Sequence, residues 1–237
     1  MLYLKGLVLN EKSLTQESLE VIQKSKKIFL ESYTVDFPYK ISRLEKLIKK
    51  KIKRLKREDI ESEFLIKEAK KNKISLLVYG SPLFATTHTS LLMDCRKGKV
   101  KYKILYNASV FDAVAQTGLQ LYKFGKISSI PKWSKKYKPY SFIDSVIENK
   151  TVNAHSLILA DIGLEFKQAL IQLKEACMEY DLSINKLLVC SKLGNKSKIH
   201  YSSLEKLKEK NIKRPFCFII PGKLHFLERQ FIEDFTK

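Results

Sequence analysis

Two short runs of small and polar residues are the first places where this sequence offers binding chemistry. A glycine, a serine and a proline at positions 80–82 end the apolar run 74–79, and Ser109 and Val110 follow the run 102–105. Turns at the carboxyl ends of strands bring backbone N–H groups and a helix amino terminus close to a polar ligand. The sequence therefore predicts a ligand site at these two turns.

Signatures of several other chemistries are absent from the sequence. It has no glycine-rich dinucleotide fingerprint, no phosphate-binding P-loop and no Gly-x-Ser-x-Gly run for a hydrolytic serine. The cysteines and histidines lack metal-ligand spacing, so we predict no metal site. We expect four buried thiols: Cys95, Cys177, Cys190 and Cys217. No catalytic base or nucleophile can be named from the sequence.

Short apolar runs alternate with amphipathic segments, which is typical of an α/β fold with a largely parallel sheet. The predicted strands cover residues 2–9, 28–31, 74–79, 102–105, 127–130, 156–161, 186–191 and 216–220. The predicted helices cover residues 15–26, 44–50, 63–72, 90–97, 165–180 and 203–210. Thr15 is the predicted N-cap of the first helix, and Ser202 with Glu205 is a predicted capping box for the last.

The length of 237 residues predicts two domains, because single domains usually hold about 100–150 residues. The proline-containing segment 131–139 has the composition of an interdomain linker. We therefore predict an amino-terminal α/β domain over residues 1–131 and a smaller α/β domain, with a mixed sheet, over residues 132–237. The chain lacks a membrane-length apolar run and a secretory leader, so a soluble cytoplasmic protein is expected.

The net charge of +20 makes contact with nucleic acid through a basic surface worth considering. Seven of the nine residues 49–57 are basic, which fits either a solvated face or a binding patch. Only six of the 45 basic residues are arginine, the residue best suited to phosphate and base recognition. Nucleic acid is therefore not required as a partner.

Six runs along the chain resemble the diphthine synthases, a family within the tetrapyrrole methylase superfamily. The amino-terminal runs are Leu2-Tyr3-Leu4-Lys5-Gly6-Leu7, Glu31-Ser32-Tyr33-Thr34 and Gly80-Ser81-Pro82-Leu83-Phe84-Ala85-Thr86-Thr87-His88. The others are Asn107-Ala108-Ser109-Val110, Thr117-Gly118-Leu119-Gln120-Leu121-Tyr122-Lys123-Phe124-Gly125 and Pro221-Gly222-Lys223-Leu224-His225. The Ala-Thr-Thr-His run and the run from Thr117 to Gly125 are the specific ones.

The resemblance implies a two-domain methylase fold that holds S-adenosylmethionine in a cleft between the domains. It implies a homodimeric methyltransferase that methylates the amino group of a modified histidine on translation elongation factor two, in diphthamide biosynthesis. Transferred by motif position, the cofactor contacts fall on Leu9, Ser81, Phe84, Ser109, Val110, Ala160, Leu193 and Phe216. Core packing is the alternative role for Leu9, Ala160 and Leu193. Thr86 and Thr87 are expected either to bind ligand or to cap a helix, and His88 and His225 either to orient the acceptor or to serve the fold.

Three positions depart from the family pattern. Val8 stands where the family has a glycine in the first turn, Ser81 replaces an aspartate, and Phe216 replaces a common histidine. Loss of the carboxylate and of the imidazole removes polar groups that face a cationic cofactor, so weaker cofactor binding is expected.

Two other functions remain open at this point. Other members of the superfamily methylate ribosomal RNA, and the basic charge favours that reading, although the specific runs count against it. The departures also allow a catalytically lapsed module that binds the elongation factor.

Overall fold

A computed structural model describes residues 1–7 and 9–236, so Val8, one of the departures above, lies outside the described residues. The chain divides into two compact units, Met1–Val110 and Phe111–Lys237. Each unit is built on its own β-sheet.

The first unit contains a sheet that, within the described residues, has five strands in the order β3-β2-β4-β1-β5. The strands are β1 (Leu2–Leu7), β2 (Lys27–Glu31), β3 (Lys53–Leu55), β4 (Ile74–Tyr79) and β5 (Tyr102–Leu105). All neighbouring pairs are parallel. Parallel strands covered on both faces are apolar almost throughout, and the sequence of β4 shows this.

Helices cover both faces of this sheet. They are α1 (Gln16–Lys24), α2 (Ile41–Ile48), α3 (Arg57–Ile60), α4 (Phe64–Lys71) and α5 (His88–Lys97). Ile22 of α1 and Leu44 of α2 pack with Leu7 on one face. Leu65 of α4 and Leu91 of α5 join a second core on the other face. A short helix, α6 (Val110–Ala113), follows β5.

The second unit contains a mixed sheet in the order β6-β7-β10-β8-β9. Its strands are β6 (Ser128–Ile130), β7 (Ser156–Ala160), β8 (Leu187–Ser191), β9 (Lys198–Ser202) and β10 (Phe216–Ile220). Its helices are α7 (Phe142–Thr151), α8 (Phe166–Glu179), α9 (Leu204–Leu207) and α10 (Phe226–Glu233), with 3₁₀ turns at Val114–Thr117, Leu121–Lys123 and Asp234–Thr236. Strands β6 and β7 are parallel, and the remaining neighbours are antiparallel. The predicted α/β class, with a parallel sheet followed by a mixed one, is confirmed.

The division of the chain after Val110 differs from the predicted boundary at residue 131. Residues 111–131 belong to the second unit because β6 pairs with β7 and the backbone N–H of Gln120 bonds to Glu228. The segment 131–139 is part of the same unit rather than a linker. The side-chain amide of Gln172 donates to the carbonyl of Pro131 at 2.7 Å, which fixes the segment against α8.

Some of the predicted helix caps and buried residues agree with the structure, and one cap differs. Thr15 caps α1 as predicted, since its side chain accepts from the backbone N–H of Ser18 at 3.2 Å. The cap of α9 is Ser203 rather than Ser202, because Ser202 is still the last residue of β9. All four cysteines are buried and free, as expected. No helix among the described residues is long and apolar enough to cross a membrane.

Candidate functional site

The carboxyl ends of three adjacent strands, β4, β1 and β5, meet closely at Gly6. A Cβ atom added to Gly6 would lie 2.5 Å from the carbonyl oxygen of Gly80 and 2.9 Å from Cδ of Pro82. It would also lie 3.1 Å from Cβ of Asn107, whose amide donates to the carbonyl of Gly6 at 3.3 Å. A side chain at position 6 would therefore push these turns apart, and only glycine permits the approach.

Gly80 extends this arrangement toward the predicted ligand residues. Its φ of +69° is a left-handed conformation that favours glycine, and it turns the chain sharply after β4. A Cβ atom at Gly80 would lie 3.5 Å from Cα of Ser109 and 3.9 Å from Cδ2 of Leu9. Leu9 and Ser109 are both buried. The structure thus brings Leu9, Ser81 and Ser109 to one edge of the first sheet, where Val110 starts α6.

The turn that follows β4 is held by hydrogen bonds within the Ala-Thr-Thr-His run. The Thr86 hydroxyl donates to the carbonyl of Pro82 at 3.3 Å, and the backbone N–H of Phe84 donates to the carbonyl of Ser81 at 3.4 Å. His88 lies 3.2 Å from the same Pro82 carbonyl through Nδ1, which must be the donor because a carbonyl only accepts. Burial lowers the pKa of His88, and the Glu31 carboxylate partly opposes this. Thr86 and His88 therefore support the fold of the turn.

The Glu-Ser-Tyr-Thr run at the end of β2 forms a second rigid turn beside β4. The buried Glu31 carboxylate accepts from the backbone N–H of Tyr33 at 2.6 Å and of Thr34 at 2.9 Å, and from the Thr34 hydroxyl. The run is one of those that resemble the diphthine synthases, and the sequence alone does not reveal the role of Glu31 within it. A carboxylate at the last position of a buried strand was the available signal, because a buried charge requires hydrogen-bond partners.

The remaining predicted cofactor residues share one edge of the second sheet. Ala160 ends β7, Phe216 begins β10 opposite Ser191 of β8, and Leu193 follows β8 by two residues. The turn after β8 is fixed where the backbone N–H of Lys192 donates to the carbonyl of Pro215 at 2.8 Å.

Phe216 has a clear packing role at this edge. Its ring lies 5.5 Å from that of Phe166 and 5.6 Å from that of Phe218, both in edge-to-face geometry. Such pairs add to the stability that burial provides. The aromatic side chain at this position is therefore part of the core of the second unit.

These two edges offer backbone groups and small side chains. At Ser81 the turn carries a neutral hydroxyl group. Among the described residues, no group of three histidine, cysteine or acidic side chains is arranged to hold a metal ion. The closely approaching turns around Gly6 and Gly80 form a backbone cradle at the first of these edges.

Comparison with known proteins places the chain in a family. The sequence model of the tetrapyrrole (corrin/porphyrin) methylases matches residues 7–208. A diphthine methyl ester synthase from Dictyostelium discoideum is 32% identical, with 99% of this chain and 98% of that protein aligned. A diphthine synthase from Methanococcus vannielii is 35% identical, with 96% of each chain aligned. The diphthine methyl ester synthase of Schizosaccharomyces pombe is 38% identical over 70% of this chain, and the match spans 59% of that relative's length.

Solved structures agree with these sequence matches. A structure from Entamoeba histolytica, named as a candidate diphthine synthase, superposes with a TM-score of 0.88 at 28% identity, covering 99% of this chain and 97% of that one. A crystal structure of a diphthine synthase gives a TM-score of 0.88 at 25% identity, covering 99% and 96%. The chain therefore belongs to the tetrapyrrole methylase family, among its diphthine synthases, and is a methyltransferase.

Proposed function

We propose that this chain transfers methyl groups from S-adenosylmethionine to the amino group of the modified histidine of translation elongation factor two, in diphthamide biosynthesis. The observation that carries the proposal is the convergence of the turns around Gly6, which lies in the runs that the chain shares with diphthine synthases. The names of the aligned relatives support the substrate.

The residues proposed to hold the cofactor lie at the two strand edges. Leu9, Ser81, Phe84, Ser109 and Val110 contribute from the first unit, mainly through backbone groups. We propose that Ala160, Leu193 and Phe216 contribute from the second. When bound, the cofactor's sulfonium supplies an activated methyl group, so the protein has only to align the acceptor amine with it and exclude water.

No described side chain is assigned as the base that removes the proton from the acceptor amine. Ser81 offers a hydroxyl where the family has a carboxylate, so it balances less of the cofactor's positive charge. We expect cofactor binding to be weaker for this reason while the alignment of donor and acceptor is retained.

The names of the relatives point to two acceptor groups. The archaeal relative is a diphthine synthase, whereas the relatives from Dictyostelium and fission yeast are diphthine methyl ester synthases. We propose the amine as the acceptor, and a methyl ester on the carboxylate of the same arm as an additional product. The two products are chemically distinct because an ester is cleaved by mild base and a methylammonium group is not.

The proposal also covers the cellular location, the oligomeric state and the protein substrate of the enzyme. We propose that the chain works in the cytoplasm as a homodimer with elongation factor two as its protein substrate. The basic surface keeps methylation of ribosomal RNA as a second candidate, and the absence of the family carboxylate at position 81 keeps a non-catalytic, factor-binding module as a third.

The deciding experiment begins with calorimetric titration of the purified chain with S-adenosylmethionine and S-adenosylhomocysteine. Micromolar or tighter binding is expected, and no binding at millimolar ligand would favour the non-catalytic module. Elongation factor two carrying the unmethylated arm, and ribosomal RNA, are then offered separately with labelled cofactor. Label on the factor that survives mild base supports amine methylation. Label on RNA alone would overturn the proposal.

A further inference from the structure

Tyr79 is the last residue of β4 and directly precedes the turn that carries Gly80 and Ser81. Its hydroxyl donates to the backbone carbonyl of Leu9, two residues after the end of β1, at 3.2 Å. The Leu9 side chain lies near the same turn, since its Cδ2 would be 3.9 Å from a Cβ atom at Gly80. The Tyr79 hydroxyl therefore ties the chain that leaves β1 to the end of β4.

The ring of Tyr79 belongs to an aromatic cluster, which we define as Phe37, Tyr39 and Tyr79. The Phe37 ring lies 5.3 Å from the Tyr79 ring in edge-to-face geometry, and the Tyr39 ring lies 6.4 Å from it. All three rings pack in the core that contains Leu7. Neighbouring rings restrict the rotamer of the Tyr79 side chain, so its hydroxyl is held in place beside Leu9.

The hydrogen bond to Leu9 orients a whole peptide group. A peptide unit is planar, so a fixed carbonyl at Leu9 also fixes the direction of the N–H of Asn10. The next residues form a turn of their own, in which Oδ1 of Asn10 accepts from the backbone N–H of Lys12 at 3.0 Å and of Ser13 at 3.2 Å. The Asn10 side chain thus sets the local shape of this turn, and the Tyr79 hydroxyl holds the start of the turn against β4.

We propose that Tyr79 is a positioning residue for S-adenosylmethionine, and that its hydroxyl holds the Leu9 backbone where the cofactor requires it. This rests on the proposed function, in which Leu9 and Ser81 both contact the cofactor. A binding group that is already in place before the ligand arrives binds more tightly, because no further ordering of the chain is needed. Tyr79 itself does not touch the cofactor in this proposal and acts through Leu9.

Tyr39 supplies a matched control from the same cluster. Its side chain is buried, and its hydroxyl has no hydrogen-bond partner among the described residues. Tyr39→Phe therefore removes a hydroxyl without breaking a hydrogen bond, whereas Tyr79→Phe takes a donor away from the Leu9 carbonyl. Both variants keep the aromatic ring and its packing, so they differ in the contact with Leu9.

Calorimetric titration with S-adenosylmethionine compares the wild type with the two variants of the full chain. Tyr79→Phe is expected to bind the cofactor about tenfold more weakly, and Tyr39→Phe is expected to bind it like the wild type. In a methylation assay, Tyr79→Phe should raise the KM for the cofactor by a similar factor. It should leave kcat at saturating cofactor and the KM for elongation factor two unchanged, because the hydroxyl acts on cofactor binding alone.

Hydrogen exchange of the cofactor-free protein tests the contact with Leu9 directly. In Tyr79→Phe, the backbone amides of residues 9–13 should exchange about threefold faster or more than in the wild type, because the turn opens more readily. In Tyr39→Phe the same amides should exchange at the wild-type rate. Urea unfolding of the same samples shows that both variants are folded.

Three results would overturn the positioning role. The first is a Tyr79→Phe variant that binds the cofactor as tightly as the wild type. The second is an equal loss of affinity in both variants, which would assign the effect to packing of the cluster. The third is a fall in kcat with an unchanged KM for the cofactor. A wild type that binds no S-adenosylmethionine would instead remove the methyltransferase proposal itself, while hydrogen exchange would still show whether the hydroxyl holds the turn.

Discussion

Ser81 sits where the chain turns after β4, and its side chain decides how much negative charge the proposed cofactor meets. Replacing it with aspartate restores a carboxylate beside the cradle formed by Gly6 and Gly80. We expect Ser81→Asp to tighten S-adenosylmethionine binding by about tenfold, since a charge-assisted hydrogen bond contributes about 1–3 kcal/mol. Ser81→Asn, which has the same shape without the charge, is the matched control, and calorimetry measures both. If the aspartate variant binds no better than the asparagine variant, the electrostatic account of this turn fails.

Lys5 is a buried lysine within β1, flanked by Leu77 of β4 and Leu105 of β5. Its side chain is fully buried, and its Nζ has no hydrogen-bond partner among the described residues. Burial lowers the pKa of Lys5 to about 7, although the Glu17 carboxylate opposes the shift. An amine in this position favours its neutral form in the folded protein and its charged form in the unfolded chain.

This difference predicts a pH-dependent stability. Between about pH 7 and the usual pKa of lysine, the unfolded chain binds more protons than the folded one, so the free energy of unfolding should rise with pH in this window. Lys5→Met should stabilise the protein by about 3 kcal/mol at neutral pH, and by progressively less as the pH rises. Urea unfolding at several pH values measures the difference, with exposed Lys101→Met as control. A stabilisation that does not change with pH would contradict the assignment.

At the scale of elements, α10 depends on a carboxylate that belongs to a long-range network as well as to its own cap. The His225 side chain caps the helix, and Glu228 completes a capping box at the third helical position. Burial acts to raise the pKa of Glu228, but hydrogen bonds from Gln120, Lys123, His225 and His155 outweigh it and lower the pKa to about 2. The carboxylate therefore stabilises the fold at all pH values above the ordinary range of glutamate.

Glu228→Gln is expected to lower the free energy of unfolding by about 3 kcal/mol at neutral pH, because an amide cannot accept from every donor that the carboxylate satisfies. The folded pKa lies below that of the unfolded chain, so the wild type should lose this advantage as the pH falls from about 4.5 toward 2. Guanidinium unfolding as a function of pH measures it, with exposed Glu233→Gln on the same helix as control. Equal losses in the two variants would remove the special role of Glu228.

Elements with strong local signals were predictable from sequence. The strands β4, β5 and β10 have the predicted limits, since each is an apolar run ended by a turn or by glycine and proline. The short β3 was missed because two of its three residues are basic, and it pairs only along an edge. The helix α10 was missed because several of its apolar residues face solvent rather than the core, so the usual helical periodicity is absent.

Part of the candidate site was likewise predictable from the sequence, and part of it was not. The turns at positions 80–82 and 109–110 were predictable from glycine, proline and small residues at strand ends. The closeness of Gly6 to Gly80 and Asn107 was not, since it depends on strand order, with β1 placed between β4 and β5. The contact of Gln120 with Glu228 joins residues 108 positions apart, and no local pattern indicates such a pair.

At the scale of the whole molecule, the chain has two compact units and proposed cofactor residues in both. Ligand that binds only the folded state stabilises it by an amount set by concentration and affinity. At one hundred times the dissociation constant this amounts to about 2.7 kcal/mol, or roughly 5–10 °C in melting temperature for a chain of this size. Which of the two units is stabilised against unfolding depends on which unit supplies the contacts to the ligand.

Differential scanning calorimetry with and without S-adenosylmethionine makes this a test of the complete site. If both strand edges bind the cofactor, unfolding of either unit releases it, so the whole unfolding profile should move to higher temperature. If the second edge contributes nothing, only the part of the profile that belongs to Met1–Val110 should move. Gly6→Ala serves as the control, because its Cβ would meet the carbonyl of Gly80 at 2.5 Å and should abolish the cradle. A temperature shift confined to the first unit in the wild type would show that Ala160, Leu193 and Phe216 do not bind the cofactor. Unfolding of the second unit would then break no contact with the ligand.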